Sequence, residues 1–219
     1  MKVAILFSGR LNIDDEIFNN FKNVFLNEVD CDVFVSHSKG YSSEYIDKFV
    51  EMYKPVKIIE SDEAYPVKIY TERNFRKNRF TIIPNALRMY LNRKYVYNLF
   101  TEYINETNTK YDMIIYSRLD LFFNCTFKYI DIYNVINTHT NIILVPEGFD
   151  YEGGLNDQFA IMKPNEASIY SGVYDNIYRM VFEEDIELHP ETLLKVHLKK
   201  YNITVGRFNC DYYIKRELK

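Results

Sequence analysis

An α/β fold with a mostly parallel central sheet flanked by helices is what these 219 residues predict, and three features carry that expectation. The first sixty residues alternate short apolar runs with amphipathic stretches in the order strand, helix, strand, helix, strand. A long amphipathic stretch opened by Pro84 feeds directly into the apolar segment Tyr111–Phe123. The same alternation returns in the second half, with apolar runs at Ile142–Pro146 and Asp157–Met162 followed by helical patterns.

Taken in order, Lys2–Phe7 reads as a buried first strand, a continuous apolar run closed by Ser8-Gly9-Arg10. Ile13–Asn27 sets Ile17, Phe18, Phe21, Val24 and Phe25 at helical spacing. Cys31–Ser36 is a second strand, Ser43–Tyr53 a second helix and Val56–Glu60 a third strand after Pro55. Ser61–Ile83 has no clear period and holds a basic, aromatic stretch, IYTERNFRKNRF; it reads as a loop that orders when a ligand binds. Pro84 then starts a helix that keeps an apolar stripe up to Thr109 and leads into the strand around Met113. Ile142–Pro146 is a strand, Gly153-Gly154 a flexible turn, Asp157–Met162 a strand and Asn165–Phe182 helical. His189-Pro190-Glu191 opens a last helix through Lys200, and Ile203–Phe208 is a final edge strand. A chain of this length can bury one core, so a single domain over residues 1–219 is expected.

The formal net charge of −4 argues against a nucleic-acid binder, which carries a basic excess. Twenty tyrosines and sixteen phenylalanines can pack a core and also stack on bases or sugars, and most are expected in the core. Cys31, Cys125 and Cys210 are odd in number and far apart, without a C-x-x-C pair, which indicates neither a disulfide framework nor a zinc site and suggests a reducing compartment. The apolar run after Met1 is too short for a signal peptide or a membrane span, so a soluble, cytoplasmic protein with no integral membrane segment is expected.

The segment YDMIIYSRLDLFF carries the most chemistry, because an apolar strand delivers Arg118 and Asp120 to one point. An always-charged arginine beside a hard oxygen ligand suits a metal-bound diphosphate, and Asp120 is the candidate metal ligand. The same pair also suits a buried ion pair that fixes strand packing. Ser8, Gly9 and Arg10 follow the first strand, where open α/β sheets bind ligands, and Gly9 lets a phosphate approach the backbone. Asn85 and Arg88 share a face of the long helix and join them as candidates for binding the same phosphate-bearing ligand. In GGLNDQFA, Asp157 stands behind two glycines at a strand entrance and is the candidate general base, with a turn or cap role for Asn156 and Asp157 as the alternative and Glu152 or Glu191 as the next candidates for the base. His189 and His197, eight apart, lack the spacing of a helical zinc pair; His189 reads as a cap and His197 as a helix-surface or pocket residue.

The Ser-Gly-Arg turn, the PNALRMYLNRKYVYNLF helix, YDMIIYSRLDLFF, GGLNDQFAIMKP and HPETLLKVHLKKYNI occur in that order, and together the chain resembles GT-A-type glycosyltransferases of large DNA viruses and bacterial surface-polysaccharide gene clusters. The resemblance covers nearly the whole chain and implies a Rossmann-like domain, with a nucleotide-binding part over about 1–123 and an acceptor part over about 124–219. It implies transfer of a sugar from a nucleotide-sugar donor, a UDP-sugar in preference to a GDP-sugar, to a glycan or other hydroxyl acceptor, with Mn²⁺ or Mg²⁺ on the pyrophosphate. It would put Arg10 near the nucleotide, Arg118 and Asp120 at the donor and metal, and Asp157 near the acceptor; with Asp157 as base, direct displacement with inversion at the transferred carbon is expected. The chain departs from the family's Asp-x-Asp metal motif, since Arg118 holds its first place. Two other functions stay open: a sugar-nucleotidyltransferase, which would show a longer glycine-rich basic loop after the first strand, and a non-catalytic nucleotide-sugar-binding module.

Overall fold

The computed structural model describes residues 1–61, 76–77 and 81–215. Strand β1 (Lys2–Gly9) lies inside a seven-stranded sheet, where the fully buried run Val3–Phe7 is covered on both faces. Strands β2 (Asp30–His37) and β4 (Met113–Ser117) flank it in parallel, and β3 (Lys57–Glu60) lies parallel outside β2. Beyond β4 the sheet continues with β7 (Phe159–Met162), β6 (Ile142–Pro146) and β8 (Thr204–Phe208), giving the order β3-β2-β1-β4-β7-β6-β8. Only β7 runs against its neighbours, so the sheet is mostly parallel, as expected.

The two-residue period of the strands divides the core between two faces. Ala4, Leu6, Ile114 and Tyr116 point into one core, covered by α3 (Ile83–Thr107), α5 (Pro164–Ser171) and α7 (Pro190–Lys200). Val3, Ile5, Phe7, Met113 and Ile115 point into the other, covered by α1 (Asp15–Phe21), its π-helical continuation Lys22–Leu26, α2 (Ser43–Tyr53) and α4 (Tyr129–Thr138). Phe25 shows where the aromatic content goes: its ring lies 4.8 Å from those of Phe21 and Phe123 and 5.3 Å from that of Phe159. Such pairs add roughly 0.5–1.5 kcal/mol each beyond burial.

Several sequence expectations need correction. The apolar strand from Tyr111 to Phe123 is two strands, because Arg118 turns back onto Asp120 and the chain bends at Leu119-Asp120. The segment beyond the bend, β5 (Leu121–Phe123), leaves the main sheet and pairs antiparallel with β9 (Tyr212–Ile214). Ile203–Phe208 is indeed at the sheet edge but is not the last strand, since β9 follows it. The helix expected over Asn165–Phe182 is three pieces, α5, α6 (Val173–Tyr178) and a π-helical turn at Arg179–Glu183, with Gly172 capping the first. Helix α4 lies in a stretch to which the sequence reading assigned no element, and it leaves Ile130 and Val135 facing solvent.

Cys125 and Cys210 form a disulfide, with Cα atoms 5.0 Å apart, although 85 positions separate them in the chain. This removes the cysteine-based reason for a reducing compartment. Cys31 is a free thiol whose pKa burial pushes up to about 11. No helix among the described residues is long and apolar enough to cross a membrane. Most of the loop expected over Ser61–Ile83 lies outside the described residues.

Candidate active site

The carboxyl ends of β1, β2, β3, β4, β6 and β8 share one edge of the sheet, and the antiparallel β7 begins there. That edge receives Gly9-Arg10 from β1, Arg118 from β4 and Asp157-Gln158 from the approach to β7. The two central contributions are tied together, since the Arg118 backbone N–H donates to the Gln158 carbonyl at 3.2 Å. Open α/β sheets bind ligands at this edge for a topological reason: the loops leaving the strands diverge there and open a crevice.

Arg118 and Asp120 form a fork, with Nε donating to Oδ1 at 2.8 Å and Nη2 to Oδ2 at 2.7 Å. The side chains are 37% and 26% exposed, so the pair lies at the surface of the cleft and is not a core ion pair. Each oxygen of Asp120 accepts one bond in this fork and keeps a lone pair open, and among the described residues no group of three or more His, Cys, Asp or Glu side chains is placed to hold a metal ion. Asp120 would thus give a divalent cation a single protein carboxylate, with the rest of its ligands left to phosphate and water.

Asp157 is 7% exposed, and its carboxyl is held above the ordinary aspartate range by burial, while Arg93, Arg118 and His189 pull it back toward the ionised form. Its placement is fixed by neighbours on both sides. Asn156 is fully buried, takes the Tyr212 hydroxyl on its Oδ1 at 3.0 Å, and donates through Nδ2 to the Gly148 carbonyl at 3.1 Å. Arg93 donates from Nη2 to the Asp157 backbone carbonyl at 2.6 Å. Asn156 is thus the structural clip and Asp157 the charged group, where the sequence left both open to a turn role.

Arg93, His189 and Glu191 complete the cluster; the sequence offered Glu191 only as a second choice of base and did not single out the other two as site residues. Arg93 is 3% exposed, with its guanidinium 4.5 Å from the ring centroid of Tyr170 and 5.0 Å from that of Tyr90. These cation–π contacts offset part of the cost of burying a cation whose Nε and Nη1 have no acceptor among the described residues. A sequence signal existed: Ala86, Tyr90, Arg93 and Phe100 fall on one helical stripe, so a cation occupies a core position. His189 precedes α7, with Nε2 3.2 Å from Glu191 Oε2, and Nδ1 faces the Thr192 hydroxyl at 3.1 Å. His197 is buried inside the helix packing, with Nε2 2.8 Å from the Ile169 carbonyl, and is no pocket residue.

Glu191 is nearly buried, and burial, then the Asp157 charge, pushes its pKa up to about 7. The folded chain therefore holds this proton more tightly than the unfolded chain does. Stability from this group is present at low pH and falls as pH rises between about 4.5 and about 7. The expected loss is of order 3 kcal/mol. Glu191→Gln is expected to flatten that part of the profile, measured by denaturant unfolding at about pH 5 and about pH 8. An unchanged slope would move the effect to other groups.

Of the other sequence candidates, Ser8 is half-buried, Gly9 has φ +116°, and Arg10 is exposed at the same edge. Asn85 and Arg88 are exposed on the opening turns of α3, over the end of β2, where the Ser36 hydroxyl reaches Asn92 at 3.0 Å. Arg118, Asp120 and Asp157 are thus brought together, while Arg10, Asn85 and Arg88 line the β1–β2 side. Gln158 is buried with its Oε1 lacking a donor among the described residues, an acceptor that a bound hydroxyl or amide could satisfy. A surface cavity of about 650 Å³ opens at the opposite edge, between Met1, Asp112, Lys128 and Tyr133, and none of the sequence candidates lines it.

No family model and no curated protein sequence matches the chain. Solved structures do share its fold. An active-site mutant of LgtC is similar with a TM-score of 0.52 at 11% identity, over 95% of this chain and 73% of that one. Mouse xyloside xylosyltransferase 1 in its apo form is similar with a TM-score of 0.50 at 9% identity, over 95% of this chain and 85% of that one. The chain has the architecture expected of a GT-A-type domain, with its charged cluster at the carboxyl edge of the sheet.

Proposed function

We propose that the chain is a glycosyltransferase that moves a sugar from a nucleotide-diphosphate donor, a UDP-sugar in preference to a GDP-sugar, to a hydroxyl of a glycan acceptor. The observation that carries this reading is the joining of Arg93, Arg118, Asp157 and Glu191 at the carboxyl edge of the sheet. Positive charge fixed beside a buried carboxylate suits a reaction in which an anion departs and a hydroxyl loses its proton. Residues 1–123 would bind the nucleotide, with Arg10, Asn85 and Arg88 along its path. Residues 124–219 would receive the acceptor.

In this mechanism the donor's diphosphate lies toward Arg10 and Arg118. Arg118 is already oriented by Asp120, so its guanidinium costs little to order when the anion arrives. Asp157 takes the acceptor proton, the acceptor oxygen bonds to the anomeric carbon from the opposite side, and the diphosphate leaves with the electron pair, inverting the centre. The side chains of this chain carry each of these roles. A Mn²⁺ or Mg²⁺ ion, if it takes part, would be bound through the donor's phosphates more than through protein ligands.

Release of nucleoside diphosphate from a panel of UDP- and GDP-sugars tests the reading, with Mn²⁺, with Mg²⁺ and with EDTA. Turnover of a UDP-sugar is expected, and faster turnover with acceptor present. No release from any donor would overturn enzymatic transfer and leave a binding module, while exchange of pyrophosphate into the donor would identify a nucleotidyltransferase. The three metal conditions decide whether a cation participates. Arg10→Ala is expected to weaken donor binding by on the order of 1.5–3 kcal/mol, the worth of a charge-assisted contact. Calorimetry with UDP reads it, and an unchanged affinity would leave Arg10 an ordinary surface residue.

A further inference from the structure

The segment between β6 and β7 is held in an unusual shape by its neighbours. Within it Gly148, Phe149, Glu152 and Gly153 all have positive φ, and Phe149, at +56°, adopts a conformation that bulky side chains rarely take. Strain of this kind persists only where the surroundings over-determine it, and here they do. Asp150 accepts from the Asn156 backbone N–H at 2.8 Å and from Arg207 at 2.5 Å, and Lys195 donates to the Gly153 carbonyl at 2.6 Å. Gly154 lies so close to Glu191 that a Cβ would meet the Glu191 backbone at 2.5 Å.

What this shape achieves is a row of aromatic rings leading outward from the charged cluster. Tyr212, which shares the electrostatic surroundings of Asp157 and Arg118, is buried and bonded to Asn156. Phe149 stacks on Tyr212 with centroids 4.8 Å apart and planes at 22°. Tyr151 follows at 6.2 Å from Phe149 and is 53% exposed, with the carboxylate of the exposed Glu152 beside it in the chain.

We propose that this loop is a rigid stacking platform for the acceptor saccharide, with Tyr151 as its exposed ring. The inference rests on the glycosyl-transfer reading and names the residues that would hold the acceptor. A pyranose presents a face of C–H groups that packs on an aromatic ring, while its hydroxyls at the rim reach polar groups; Tyr151 and Glu152 supply both kinds of contact. The sheet order places the platform suitably. Arg10 leaves β1 on one side of the Arg118–Asp157 cluster, and this loop leaves β6 on the other, so donor and acceptor would approach Asp157 from opposite sides. A loop already fixed by hydrogen bonds loses little entropy when a sugar settles on it.

Saturation-transfer NMR with a panel of methyl glycosides at millimolar concentration tests the platform without requiring turnover. At least one glycoside is expected to bind the wild-type chain. Tyr151→Ala is expected to weaken that binding by about 3- to 10-fold, the effect of one aromatic contact, and Tyr151→Phe to keep it. Tyr201→Ala removes a comparably exposed ring outside this row and is expected to change nothing. Unchanged melting temperatures establish that each variant is folded. If no glycoside binds the wild type, or if Tyr151→Ala binds as well as wild type, the platform is overturned even where UDP-sugars are turned over. Glycoside binding that depends on Tyr151, in a chain that releases no nucleoside diphosphate, would instead keep the platform and overturn the transfer chemistry.

Discussion

Asp157→Asn is expected to lower sugar transfer to an acceptor by about 10²–10⁴-fold, the range for loss of a general base, while donor binding changes little. The substitution keeps the shape of the side chain and the backbone carbonyl that Arg93 holds, so the network that fixes the segment survives. What it removes is the negative charge among Arg93, Arg118 and His189. Removing it leaves the cations less compensated, so some loss of melting temperature accompanies the kinetic effect, and turnover must be read per folded molecule. A turn-capping role for Asp157 gives the reverse pattern, with stability lost and transfer per folded molecule retained. If transfer proceeds at the normal rate, Glu191 becomes the better proton acceptor, because its pKa of about 7 matches a base working at neutral pH. Glu152 is the weaker alternative, being exposed on a strained turn. A reaction that proceeds with retention and needs no such base is the remaining explanation, and the anomeric configuration of the product distinguishes it.

The sheet was legible because its strands are either continuous apolar runs or lie next to strong breakers. Ile142–Pro146 and Ser43–Tyr53 have the bounds their patterns predict, and Pro84 and Pro190 open helices as proline at a first turn should. Strand direction was less legible. The connection between β6 and β7 forms turns and no crossover helix, so β7 comes back antiparallel to β6, a choice that its length alone does not dictate. The second sheet was invisible, since β5 and β9 are three residues each and pair across about ninety positions. At the site, the sequence placed Arg118, Asp120 and Asp157 together because each sits next to a strand end. It offered Glu191 only as a second choice of base and did not yield His189 or Arg93 as site residues; how these three reach the cluster depends on how α3 and α7 pack, which no local pattern encodes.

Reducing the Cys125–Cys210 disulfide is expected to cost about 4–5 kcal/mol of stability, the loop-closure entropy for a separation of 85 residues. For a chain of 219 residues that corresponds to a fall in melting temperature of roughly 10 °C. The bond closes the base of the β5–β9 ribbon, where the Asn124 N–H also donates to the Asp211 carbonyl at 2.8 Å. The ribbon in turn supports the site twice. The Lys215 N–H donates to the Asp120 carbonyl at 2.9 Å, and the Tyr212 hydroxyl holds Asn156 beside Asp157. Without the cross-link a ribbon of two three-residue strands is marginal, so it should fray before the main sheet opens. Amide exchange in the reduced protein should therefore rise first at Phe122 to Asn124 and Tyr212 to Ile214, with β1 and β4 still protected. The double variant Cys125→Ser, Cys210→Ser should reproduce the reduced protein and become insensitive to reductant, whereas Cys31→Ser should keep the oxidised melting temperature. An identical melting temperature with and without reductant, in a chain whose thiol titration shows the bond to be broken, would mean that the ribbon is held by its packing alone. The stacked Phe122 and Tyr213 rings, 5.2 Å apart, would then be the contact to remove next.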